Sequence, residues 1–347
     1  SPTPQFAIDG AANEPMYGER ALQDTQTNFG NASLGRPDIT NGSEIDVVYS
    51  AIKDGNLYLV LAGNLETNGN KLEIFFDTRA GGQNRLLQTN PGTPNVGLLR
   101  MSDDGSGNGF TFASGFEADY WVSLNVYGDP VGLYVDYAEL YVDAGNPGVL
   151  YYCGAGATTC ATSGGALTDG DAGAPTILAT VDNTNVDGVD GGTGNSIGSG
   201  VTTGIELCIP LTAIGNPAGA FTMTAFVNGQ QHDFVSNQVM GGIGGWVADN
   251  LGEPRDVNLA TDTPPHVVVS IPAAETPVGA CCMGTSCSIT TEASCTGGGG
   301  TYLGDNTTCD GNPCNATPQG ACRFSDTPAG RCEIMEATEC ANAGGVY

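Results

Sequence analysis

The chain has 347 residues, with 38 Asp and Glu against 10 Lys and Arg, giving a formal net charge of −28. That balance excludes nucleic-acid binding, which needs clustered basic side chains to neutralise phosphates; the acidity points instead to a solvated surface, solubility in salty surroundings or calcium binding. No apolar run reaches the roughly 18 residues of a membrane span, so direct membrane insertion is not expected, and 53 Gly with 14% charged residues favour strands and turns over helices.

The chain opens at Ser1 without an initiator Met or a basic-then-apolar leader, the form expected of a secreted protein after signal removal. Residues 45–52 and 57–62 flank Lys53-Asp54-Gly55-Asn56, where Asp-Gly supplies the positive φ of a tight turn, predicting a hairpin. Residues 71–77 read as a third strand, with Leu72, Ile74 and Phe76 alternating against Glu73, Phe75 and Asp77. Further strands are predicted at 110–113, 120–127, 133–142, 176–181, 204–209, 221–227 and 266–271. Many short strands separated by turn signals predict an all-β fold, an antiparallel β-sandwich over residues 1–271. Residues 182–200 form a polar loop long enough to carry function.

After a Pro-containing linker at 272–278, nine of the 12 cysteines gather in two small repeats. The first, 279–314, carries Cys281, Cys282, Cys287, Cys295, Cys309 and Cys314; a linker at 315–319 leads to the second, 320–347, with Cys322, Cys332 and Cys340. The step from Cys287 to Cys295 recurs from Cys332 to Cys340, and Gly299-Gly300-Thr301-Tyr302 recurs as Gly344-Gly345-Val346-Tyr347. Units this small bury too little apolar surface to fold alone, so disulfides and an oxidising compartment outside the cytoplasm are predicted. The second unit is incomplete, with Arg323 at the place of Cys282 and no counterparts of Cys309 and Cys314, which suggests either a tail that engages a neighbouring copy and propagates as a filament or a repeat cut short, by truncation or proteolysis, before its last cysteines.

Ile8-Asp9-Gly10, with Glu14 and Tyr17 following, resembles the first strand of family 9 carbohydrate-binding modules and their DOMON-like relatives. Leu57-Tyr58-Leu59-Val60 and Lys71 to Asp77 resemble that fold's central hairpin and its strand ending in an acidic residue. The resemblance spans the first half of the sandwich and implies a sugar-binding module, although Tyr17 stands where those modules have Trp. Gly63-Asn64-Leu65-Glu66, Gly81-Gly82-Gln83-Asn84, Gly200 to Glu206, His232-Asp233-Phe234, Ser236-Asn237-Gln238-Val239 and the Gly-Ala-Cys-Cys repeats resemble secreted proteins of planctomycete-type bacteria. That likeness implies secretion and architecture and carries no mechanism.

Catalytic residues are not expected. Gly194-Asn195-Ser196-Ile197-Gly198 matches a nucleophile elbow, yet no helix follows and only His232 and His266 are available as bases. Asn183, Asn185, Asp187 and Asp190 alternate around Gly188 like the front half of a calcium loop, although Gly194 replaces the bidentate Glu. The loop from Ser102 to Asn108 offers Asp103 and Asp104 without that alternation, and both loops also read as ordinary Asx turns. Trp121 falls in a strand and reads as core, whereas Trp246, after Gly241-Gly242-Ile243-Gly244-Gly245, is the candidate exposed ligand contact. Cys153 and Cys160, with six residues between them in a flexible span, are expected to pair, leaving Cys208 as a buried thiol. Asn31, Asn41, Asn306 and Asn315 begin glycosylation sequons. The sequence thus supports a structural or adhesive protein of the cell surface or extracellular matrix, associating with copies of itself, with a polysaccharide-binding module as the alternative.

Overall fold

The computed structural model describes residues 6–29, 42–128, 131–143, 145–158, 164–189, 197–240, 242, 249–261, 268–274, 278–311, 313–315, 319–324, 331–343 and 346. The chain divides into two compact units, residues 1–274 and 275–347.

In the first unit β1 (Gly18–Leu22), β2 (Glu44–Lys53), β3 (Asn56–Asn64), β8 (Leu178–Val181) and β9 (Gly204–Pro210) form a sheet in the order β1-β2-β3-β9-β8. The second sheet runs β11-β10-β4-β5-β6-β7, built from β4 (Asn68–Asp77), β5 (Tyr120–Tyr127), β6 (Gly132–Glu139), β7 (Val149–Ala157), β10 (Phe221–Asn228) and β11 (Val235–Met240), with β12 (Val269–Ile271) also pairing with β10. The named strands pair antiparallel. The predicted hairpin forms: Asp54 and Gly55 take φ of 50° and 76° between β2 and β3, the left-handed pair a two-residue turn requires.

Period-two alternation decides which side chains enter the core. Leu57, Leu59 and Leu61 of β3 and Ile205, Leu207 and Ile209 of β9 meet Leu72, Ile74 and Phe76 of β4 and Val122, Leu124 and Val126 of β5, all buried between the sheets. A second core lies on the outer face of the larger sheet, where Phe75, Trp121 and Phe226 pack under Leu86, Leu98, Phe110 and Phe112 of the long β4–β5 connection. That connection contains one short helix, α1 (Leu98–Met101). Residues 110–113, predicted as a strand, belong to this cover and make only isolated bridges, from Thr111 to Arg85 and to Asn258. Phe75 touches Phe112 edge-on and stacks with Phe226, so truncating it to Ala is expected to cost about 3–5 kcal/mol.

In the second unit β13 (Gly279–Met283) lies between β14 (Ser286–Thr290) and β15 (Thr301–Tyr302). Adjacent cysteines on a strand face opposite ways. Cys281 therefore pairs with Cys295 of α2 (Glu292–Gly297), and Cys282 pairs with Cys314, while Cys287 pairs with Cys309. A Cβ at Gly300 would stand 2.7 Å from the Cys281 sulfur and 3.0 Å from that of Cys295, which explains a glycine at this point of the repeat. In the second repeat β16 (Gln319–Phe324) pairs with β17 (Arg331–Glu336), followed by α3 (Ala337–Asn342), and Cys322 bonds Cys340 in the same relation as Cys281 to Cys295. The bridge from Arg323 to Val346 likewise repeats the pairing of Cys282 with Thr301. One staple of the second repeat thus closes within the chain, which removes part of the premise that this tail needs a neighbour to complete it.

One cysteine expectation changes. Cys153 is a free thiol rather than half of a disulfide, because β7 turns its side chain into the core between the sheets; burial pushes that thiol up to about 12. Cys208 is a buried free thiol. Asn31, Asn41, Cys160, Asp190 and Trp246 fall outside the described residues, as do Ser196, His266 and the side chains of Asn315 and Cys332. Among the described residues no helix is long and apolar enough to cross a membrane, and four disulfides fit an oxidising, extracellular setting.

Candidate functional site: a polar cleft on the outer face of the larger sheet

The register of the larger sheet writes its outer face as three rows. Phe75, Trp121 and Ala138 lie opposite one another, then Glu73, Ser123 and Asp136, then Lys71, Asn125 and Tyr134. The β4–β5 connection covers the first row. Beyond it the face turns polar and opens as a cleft of about 440 Å³ with Lys71, Asn125, Asp136 and Trp121 among its lining residues. The lining also includes residues 93 and 95–98 and Gln230, Gln231 and His232 of the β10–β11 connection. The volume lies within the range of small-ligand sites.

Glu73 organises the covered side of this cleft. It is fully buried. One carboxylate oxygen lies 2.6 Å from His232 Nδ1 and accepts from Asn228 Nδ2 at 3.2 Å, while the other accepts from Trp121 Nε1 at 2.8 Å. Burial alone would raise the Glu73 carboxyl, but the adjacent His232 and the hydrogen bonds from His232 and Trp121 bring it below its ordinary value. A carboxylate only accepts, so Nδ1 carries the proton in this pair. His232 has φ of 57°, a left-handed conformation uncommon for residues other than glycine, in a turn closed by its N–H to the Gly229 carbonyl. On the next row Lys71 Nζ donates to Asn125 Oδ1 at 2.7 Å. Burial lowers the Lys71 ammonium and raises the Asp136 carboxyl, each shift opposed by the charge of the other. Tyr127 remains 50% exposed at the cleft's edge.

The other expected sites are differently occupied. Asn183 clamps the backbone of Leu65, accepting its N–H and donating to its carbonyl. Asn185 donates to Glu44, Asp46 and the Asp187 carbonyl and accepts the Asp187 N–H, so the side-chain oxygens of Asn183 and Asn185 are engaged as hydrogen-bond acceptors, while the Asn185 amide group ties the loop to β2 and Asn183 ties it to the end of β3. The Asp187 side chain is exposed. Asp103 caps the N–H groups of Gly105 and Gly107 and lies 3.7 Å from Arg85, and Asp104 lies 3.5 Å from Arg255. Among the described residues no group of three or more His, Cys, Asp or Glu side chains is placed to hold a metal. Asn306 is exposed at a left-handed turn, open to modification.

Ile8-Asp9-Gly10 is not a strand. Gly10 (φ 88°) lets the chain approach β9, where Glu206 accepts the N–H groups of Asp9 and Gly10 at 2.8 Å each and the Tyr17 hydroxyl at 2.6 Å. The motif and Tyr17 therefore serve a buried carboxyl that fastens the N-terminal segment over the smaller sheet. Trp121 is 1% exposed, core by burial, while its ring also lines the cleft. Sequence reasoning missed Lys71, Asn125, Tyr127, Asp136 and His232 as a group. The available signal was the polar alternate set on neighbouring strands, Asn125 and Tyr127 beside Tyr134 and Asp136.

Comparison with known protein families, characterised proteins and solved structures finds no match.

Proposed function

We propose that this chain is a secreted adhesive protein whose sandwich binds extracellular polysaccharide in the outer-face cleft, with the disulfide-stapled repeats as a compact appendage. The observation that carries this reading is the open polar cleft lined by Lys71, Asn125 and Asp136, with the half-exposed Tyr127 at its edge and amides on the opposite rim. Sugars present hydroxyls that give and take hydrogen bonds together with apolar C–H faces that pack on aromatic rings, and a concave site with a few fixed polar groups suits both. Four disulfides support the extracellular setting. The test is co-sedimentation of the full chain with insoluble polysaccharides, in parallel with Asn125→Ala/Asp136→Ala. Retention of the wild type and release of the double variant is the expected result; equal retention of both would place binding elsewhere.

A further inference from the structure

We propose that the cleft selects uncharged saccharides and that His232 Nε2 is the contact through which it reads a ligand hydroxyl, with Glu73 as the residue that positions the ring. The inference rests on the polysaccharide reading of the same cleft and adds its ligand class and its recognising atom.

The first step is charge. Among the described lining residues Lys71 is the only Lys or Arg side chain. Its ammonium already donates to Asn125 and is drawn toward Glu73 and Asp136. A uronate or sulfate would meet the Asp136 carboxylate without an uncommitted cation to receive it, on a chain whose net charge of −28 repels polyanions before they arrive. Anionic recognition normally relies on Arg in a bidentate geometry, and none of the described residues lining the cleft is an arginine.

The second step is the imidazole. His232 lines the cleft while Nδ1 is held 2.6 Å from a buried carboxylate oxygen. Among the described residues Nε2 has no hydrogen-bond partner, and it is the remaining polar atom of that ring. Because Nδ1 keeps its proton against Glu73, Nε2 accepts when the ring is neutral and donates when it is charged. A hydroxyl satisfies either form, whereas a carboxylate or an ammonium satisfies only one. Trp121, bonded to the other oxygen of Glu73 and 6.0 Å from the His232 ring, completes a rigid platform on a single buried acid. The left-handed φ of His232 is held by the Gly229–His232 turn, an arrangement of the kind that persists where surrounding structure enforces it.

Calorimetry of the full chain with cello-, manno-, xylo- and chito-tetraose, against oligogalacturonate and chondroitin-sulfate tetrasaccharides, tests both claims. At least one neutral ligand should bind while the anionic ones do not. His232→Ala should weaken that binding tenfold or more in protein that circular dichroism shows to be folded, although the melting temperature falls because the buried Glu73 loses its partner, and His232→Asn, whose side chain tolerates left-handed φ, should recover part of the lost binding. Nitrogen-15 shifts of the imidazole should report a protonated Nδ1 that changes in Glu73→Gln, a readout that simple loosening of the fold would not produce. Binding of a neutral ligand with full affinity by His232→Ala overturns the inference and leaves the polysaccharide reading standing, as does binding of anionic ligands alone. No binding by any saccharide in either panel overturns both.

Discussion

Replacing Glu206 by Gln should stabilise the sandwich at neutral and alkaline pH and leave it almost unchanged in acid. The carboxyl is inaccessible to solvent on β9, and burial pushes its pKa up to about 7 from an ordinary 4.5, against the opposing hydrogen bonds from Tyr17, Gly10 and Asp9. Between those two values the folded state holds a proton that the unfolded chain has released, so stability falls as pH rises through the window. A shift of that size corresponds to roughly 3 kcal/mol of stability present below about pH 4.5 and lost above about pH 7. Gln keeps the geometry: its carbonyl accepts the Asp9 and Gly10 N–H groups and its NH₂ donates to the Tyr17 oxygen, without a charge to desolvate. Urea unfolding of wild type and Glu206→Gln from pH 4.5 to 8 isolates this group, because the other 37 acidic residues are common to both proteins. The difference should grow in favour of the Glu206→Gln variant by a few kcal/mol across the window. A pH-independent difference, or one that grows toward acid, would refute the assignment of a buried, proton-holding Glu206.

Further outcomes follow from the same structure. Reduction should release the cysteine tail while the sandwich stays folded, since loops of 14, 32 and 22 residues are each worth roughly 3–4 kcal/mol to a unit with little core; near-ultraviolet dichroism and proteolysis with and without reductant check it. Gly188→Ala should destabilise by about 2 kcal/mol or more in thermal melts, because φ is 104° and a Cβ would fall 1.9 Å from the Asp46 carboxylate. Native protein at pH 8 should resist iodoacetamide at Cys153, whose thiol burial holds at about 12, and label there only on unfolding.

Much of the fold is legible because alternation and turn chemistry agree. Asp54-Gly55 marks the β2–β3 hairpin, and the apolar alternate residues of β4, β5, β9 and β10 read directly as a core face. Three strands of the sandwich are not legible for identifiable reasons. In β7 the run Cys153-Gly154-Ala155-Gly156 has no side-chain pattern, so a sheet strand looks like a flexible disulfide loop. The polar Ser236-Asn237-Gln238 of β11 are buried because the amides of Asn237 and Gln238 bond to the carbonyls of Gln26 and Thr25 and the Ser236 hydroxyl bonds back to Gln238, which no local rule reveals. In β1 only four of five residues pair, across a register shift. Phe110 and Phe112 have the right alternation for a strand and are buried for another reason, as the cover of the second core. The cleft is harder still to read, since Lys71, Asn125 and Asp136 come from three strands and His232 from a turn. Their meeting depends on register, and register is a property of paired strands rather than of any one segment.

The central claim is that the outer face of the larger sheet holds sugar. Its most direct test is chemical-shift mapping of the labelled full chain during titration with whichever neutral polysaccharide fragment it retains. The account predicts that the Trp121 indole N–H and the side-chain amides of Asn125, Gln230 and Gln231 move together and saturate with one affinity, while signals of β3 and β9 stay in place. Saturable shifts confined to the smaller sheet or to the cysteine repeats, with the Trp121 and Asn125 signals unmoved, would contradict it.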